Sequence, residues 1–247
     1  MKTFKEYIFE GITRPVIPPA LVQHTLDYIK NNMPKKISML DFIGLIENAL
    51  KHARLSNNIS VDWNIDDPQC EHMPLGVIGI GGEFSAEEAA GGYSSIVIQV
   101  YSNPNSKRLI KPREYLPGIL REIKQVIEHE SIHHKQEVKR NYIADRKGIT
   151  TKAKKSQYAN SNLMDVDYFG REDEIGAYSN DLSNALLYHT NNDVDKALQL
   201  LRKYKTDIVN VIHTPFDMYS RNFKPNSPVI KKLVKLAYQR LMDEKEV

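Results

Sequence analysis

Apolar residues recur along this chain in two rhythms, and the places where one gives way to the other mark out its elements. Over residues 20–31 they fall at helical spacing. A second helix is expected to start at Ser38, a residue suited to N-capping, and to turn Leu40, Ile43, Ile46 and Leu50 toward a core. Asn57-Asn58 closes that pair. The period then shortens to two. Ile59-Ser60-Val61-Asp62-Trp63 alternates as a half-buried strand does, and residues 75–80 are apolar and β-branched between glycines. Residues 93–101, with Ile96, Val97, Ile98 and Val100, form the clearest strand. Gly81-Gly82 and Gly91-Gly92 read as turns between these strands.

The helical rhythm returns at Pro117-Gly118 and is expected to run to about residue 140, with Ile119, Ile123, Val126 and Ile127 on one face. Residues 139–155 carry Lys139, Arg140, Arg146, Lys147, Lys152, Lys154 and Lys155 and read as a surface loop. Further helices are expected over about 172–189, from Val194, and from Pro228. The last has Ser227 as N-cap and proline at its first position. Residues 1–18, with Pro15 and Pro18, suggest a short helix and an irregular arm. Helices, a small sheet and then helices predict an α+β fold. The expected organisation is an N-terminal arm and helix over 1–35 and a single domain over 36–247. Within that domain the sheet and the long helix occupy 36–140, and a helical part occupies 156–247.

Composition narrows the function classes. Hydrophobic residues make up 41% of the 247 and charged residues 26%, the balance of an ordinary globular chain rather than a disordered one. A net charge of +3 is too small to argue for nucleic acid, and the basic stretch reads as a solvated loop. The single cysteine, Cys70, excludes an internal disulfide and a metal site built from cysteines. No apolar run has the length of a signal peptide or a membrane span. The expected location is the cytoplasm, or a particle assembled without secretion.

Inside the strongest helical stretch stands His129-Glu130-Ser131-Ile132-His133, an HExxH motif. Histidines four residues apart share a helix face, so both imidazoles can reach one ion. The glutamate beside the first can take a proton from water held at that ion. Zinc suits such a site because three protein ligands leave a fourth position open. The plain alternative is a coincidental match on an ordinary helix face. His134 projects about 100° away and reads as a non-ligand. Downstream lies Tyr168-Phe169-Gly170-Arg171-Glu172-Asp173-Glu174-Ile175-Gly176-Ala177-Tyr178, an acidic start to a helix.

The segments HESIHHKQ and YFGREDEIGAYSND together resemble the gluzincin type of zincin metallopeptidase. The likeness is to small gluzincin-like proteins, several of them phage-encoded, in which an HExxHxxQ helix precedes an E-I-x-A-Y helix. It covers about residues 93–190; the first 55 residues and the C-terminal helices lie outside it. The resemblance implies a zincin-like fold, with a small twisted sheet packed on the active-site helix and a mainly helical C-terminal part. It implies one zinc ion per chain, ligated by His129, His133 and Glu174, with Glu130 as general base. Glu172 is the rival third ligand, although a carboxylate at a helix start is favourable without any metal. Tyr168 matches a position from which a tyrosine can donate to a developing oxyanion. Tyr178 and Asp181 share the helix face of Glu174 and could orient a ligand from behind, although an acidic residue is more usual where Tyr178 stands. In zincins the strand ahead of the metal helix, here 94–101, offers a free edge to an extended peptide; an ordinary sheet strand is the other reading. His213, Thr214, Pro215 and Tyr219 either line the cleft or form a packed linker.

The expected function is therefore a zinc-dependent hydrolase acting on a peptide or protein substrate, with neither membrane nor nucleic acid as partner. The competing expectation is a catalytically idle zinc-binding protein, such as a phage particle component that keeps a metallopeptidase scaffold.

Overall fold

The computed structural model describes residues 17–85, 95–109, 111–139, 163–203 and 215–245. Residues 1–16 of the helix and arm expected over 1–18, Gly91-Gly92, the basic residues from Arg140 to Lys155, and His213-Thr214 lie outside them. The chain is α+β and falls into two compact units, one within Pro15–Tyr142 and one completed by Ile143–Val247. Each has its own apolar core.

The first unit opens with α1, Pro19–Asn32, which begins on a proline and buries Val22, Leu26 and Ile29. In α2, Met39–His52, the Ser38 hydroxyl caps the start by accepting the Asp41 amide at 3.0 Å. Its buried stripe is Met39, Phe42, Ile46, Ala49 and Leu50. Leu40 is 69% exposed, which corrects its expected place in the core. At 100° per residue Phe42, Ile46, Ala49 and Leu50 fall in one stripe with Met39, and Leu40 projects well away from its middle.

Strands β1, Ile59–Asn64, β2, Ile78–Phe84, and β3, Ile96–Ser102, form a mixed sheet in the order β1-β3-β2. β1 runs parallel to β3, with Ile59 opposite Ile96, and β2 runs antiparallel, with Ile80 opposite Val100. Along β3 the buried positions alternate strictly: Ile96, Ile98, Val100 and Ser102. The Trp63 indole N–H on β1 donates to the Ser102 hydroxyl at 2.8 Å, fixing the top of that ladder.

Three expectations are corrected here. β3 is the central strand, paired on both sides, so it offers no free edge to a peptide; among the described residues the outer strands are β1 and β2. Gly81 and Gly82 do not turn the chain but lie within β2. The strand also starts later than the apolar run at 75–80, leaving Leu75 and Val77 exposed. The long helix α3, Pro112–Lys139, begins a turn and a half before Pro117, which lies inside it. Pro112 supplies the proline start, and Pro117 forfeits a single backbone bond in a 28-residue helix.

In the second unit α4, Leu163–Phe169, precedes α5, Glu172–His189, whose bounds match the sequence expectation. α6, Val194–Arg202, is capped by Asp193 accepting the Lys196 amide. α7, Pro215–Asn222, places Tyr219 in the core, where a packed linker or a cleft wall was expected. α8, Pro228–Lys245, starts as predicted, with the Ser227 hydroxyl accepting the Ile230 amide at 3.1 Å. No helix among the described residues is long and apolar enough to cross a membrane.

Candidate metal centre

Two turns of α3 and one strand build the first half of the site. β2 runs beside α3 from Glu122 to His134. The Glu122 carboxyl accepts the Ile80 amide. A Cβ on Gly82 would come to 2.5 Å from Val126 Cγ1 and 3.0 Å from Glu130 Cγ and Oε1. Phe84 stacks on His134, with ring centroids 5.6 Å apart. Gly82 is thus a glycine because the Glu130 side chain occupies the space a larger residue would need. Glu130 is buried.

His129 and His133 leave the same face of α3, with their Nε2 atoms 3.2 Å apart and their ring planes at 66°. Two imidazole nitrogens on one tetrahedral zinc, each about 2.0–2.1 Å from it, stand about 3.3 Å from each other. The pair therefore sits at the separation the ion demands. His133 Nδ1 lies 3.2 Å from Gln136 Oε1. An amide oxygen only accepts, so this contact suits the tautomer that carries its proton on Nδ1 and leaves the Nε2 lone pair for a metal. Gln136 is a site residue that sequence reasoning left without a role, although its spacing three residues beyond His133 puts it on the same face.

His134 is turned away from this pair, as expected, and burial lowers its pKa. Ser131 is fully buried and its hydroxyl donates to the Ile127 carbonyl, so its part in the motif is structural.

Glu174, the third candidate donor, stands on α5 of the other unit. Twelve of that helix's eighteen residues are buried, among them Asp173, Glu174, Ser179, Asn180, Asp181 and Ser183. Polar groups buried on that scale need partners. Arg240 on α8 supplies several, donating to Asn180 Oδ1 at 2.8 Å, Ser179 Oγ at 3.3 Å and the Gly176 carbonyl at 3.4 Å. Glu172, Asp173 and Glu174 form the first turn, where the partial positive charge of the helix end favours carboxylates. Glu174 is 3% exposed, whereas the Glu172 side chain is 58% exposed and pairs with Lys232 at 2.7 Å. That separates the two rival ligands: Glu172 is committed to a surface ion pair.

The donor atoms of His129, His133 and Glu174 all lie within 4.8 Å of one another, close enough to hold a metal ion. Two imidazoles and a carboxylate are a donor set that suits a divalent transition metal. Tyr178 and Asp181 follow Glu174 along α5; Asp181 is buried, and the Tyr178 ring meets those of Phe169 and Tyr219 at 5.6 and 5.5 Å. Tyr168 is 40% exposed, packed edge-to-face on Phe169 with the Arg171 guanidinium 5.7 Å from its ring centre. Tyr219 is wholly buried. Burial holds its phenol well above the ordinary value, and Tyr178, Glu174, Tyr168 and Asp181 add to the effect.

No family model, no curated protein and no solved structure matches this chain.

Proposed function

We propose that the protein is a zinc-dependent metallopeptidase of the gluzincin type, with His129, His133 and Glu174 as ligands and Glu130 as general base. The observation that carries this reading is the convergence of three buried donors beside a buried Glu130 for which Gly82 leaves room. An ion bound by three protein donors supplies Lewis acidity and activates water at neutral pH. Glu130 then accepts the proton of the attacking water and hands it to the leaving amine. Gln136 holds His133 in the ligating tautomer throughout. Tyr168, with its ring half in solvent, is the candidate donor to the oxyanion of the scissile carbonyl. With β3 enclosed, the strand that could pair with an extended substrate is β2, which also bears Gly82.

Glu130 favours an enzyme over an idle zinc protein, since a structural ion has no use for a base buried beside it. The test is metal content of untagged protein, wild type beside His133→Ala, followed by a peptide-library cleavage assay. About one zinc per wild-type chain, lost in the variant, is expected. Glu130→Gln should keep the zinc and lose turnover, and Glu174→Ala should bind zinc more weakly. A wild-type chain that takes up no zinc after reconstitution refutes the proposal. Zinc without cleavage of any peptide, with Glu130→Gln indistinguishable from wild type, would favour the idle protein.

A further inference from the structure

The Tyr219 hydroxyl is a buried polar group in the second core without a hydrogen-bond partner among the described residues. It sits on α7 with no exposure to solvent. A buried hydroxyl without a partner is costly, and such groups call for an explanation in function. Its ring is held by three aromatic contacts of two kinds. Phe169 and Tyr178 meet it edge-on at 5.4 and 5.5 Å, Phe223 stacks on it at 6.0 Å, and the Phe169–Tyr178 pair closes the group. Packing fixes where the phenol points, and the Tyr178 contact sets it over the α5 face that carries Glu174 one turn earlier. Glu174 and Asp181 are the carboxylates that act on it.

We infer that Tyr219 is a positioning residue for the metal site, whose hydroxyl donates to the Glu174 carboxylate when that carboxylate turns to ligate an ion. A ligating carboxylate uses one oxygen on the metal and leaves the other to be held by a donor behind it, and such donors fix ligand orientation. Tyr219 is a donor of that kind, pre-placed on a rigid aromatic mount. Sequence reading had the residue but not the role, because the contact joins positions far apart in the chain.

This inference rests on Glu174 being a ligand, and its test keeps the two apart. Zinc affinity is measured by competition with a chromophoric chelator, and thermal unfolding is measured on the metal-free protein, for wild type, Tyr219→Phe and Leu201→Ala. Tyr219→Phe keeps the ring and removes only the hydroxyl. Its zinc affinity is expected to fall by about 10- to 100-fold, while its metal-free unfolding temperature stays level or rises. Leu201→Ala, a packing change in the same core away from the aromatic group, should lower the unfolding temperature and leave zinc affinity within about twofold of wild type. Equal zinc affinity in wild type and Tyr219→Phe overturns the inference while leaving the Glu174 ligand intact. So does a loss of affinity that appears only with an equal loss of metal-free stability, since packing would then account for it. A wild-type chain that binds no zinc overturns the ligand reading first, and this inference with it.

Discussion

Glu122 shows how a single carboxyl can oppose the fold that places it. It accepts the Ile80 amide at the edge of β2, and that bond and the nearby Arg121 both favour the ionised form, yet burial outweighs them and its pKa is raised. A carboxyl whose folded pKa lies above its unfolded value, near about 4.3, binds more protons in the folded state. Its ionised form therefore subtracts stability at neutral pH, and the deficit disappears once pH falls below the unfolded value. Glu122→Gln keeps an oxygen for the Ile80 amide and removes the charge. Its unfolding temperature should exceed that of wild type at pH 7 and match it at pH 4 and below. A lower temperature at pH 7 would mean the charge-assisted bond to Ile80 outweighs desolvation. The same balance is struck differently at Glu172, whose exposed carboxylate simply pairs with Lys232.

At the scale of elements, β2 against α3 decides how well the motif is held, and the two adjacent glycines of β2 answer to different neighbours. Neither has a positive φ, so the cost of a side chain there is one of space alone. A methyl on Gly81 would meet the tip of the Tyr101 ring at 2.8 Å, an end that can swing aside. A methyl on Gly82 would meet Val126 and Glu130 on the helix itself. Gly82→Ala should therefore destabilise by about 1–3 kcal/mol and cut any peptidase turnover by displacing Glu130. Gly81→Ala should cost visibly less by thermal melting, and the reverse order would contradict this packing. This is also where sequence reading reached its limit. Ser38, Ser227, Glu172–His189 and the alternation of β3 were legible because caps and periodicity are local signals. Gly81-Gly82 read as a turn because turns are where glycine is most often wanted, and nothing local reports a helix lying across a strand. Leu40 was misplaced by one residue because Met39 and Leu40 are equally apolar, so only packing chooses between them. β3 was given a free edge because pairing partners are set by topology, which the hydrophobic pattern of a single strand does not encode. HExxH and Glu174 were readable as motifs, whereas the parts played by Gln136 and Tyr219 emerge only once side chains have neighbours.

For the whole molecule, the consequence of two separate cores is that different probes should see different transitions. Ile46, Ile98 and Ile123 belong to one cluster and Leu186, Tyr219 and Leu233 to the other, and each such cluster is a natural cooperative unit. The single tryptophan, Trp63, packs against the first cluster, so its fluorescence follows that unit, while helical ellipticity follows both. In urea, the metal-free chain should give a Trp63 transition that does not superimpose on the ellipticity curve. Zinc changes only states that bind it. Saturating it at 100 times its Kd adds about 2.7 kcal/mol to the folded form, and with a urea dependence of roughly 1–3 kcal/mol/M the midpoint moves by about 1–3 M. His129 and His133 stand on the unit that Trp63 reports, so the fluorescence midpoint must move if they ligate the ion, and must stay put in His133→Ala. A zinc-induced shift seen by ellipticity alone would locate the ion elsewhere in the chain. Because both curves come from one titration without substrate, this result bears on the metal site independently of whether any peptide has been found that the protein cuts.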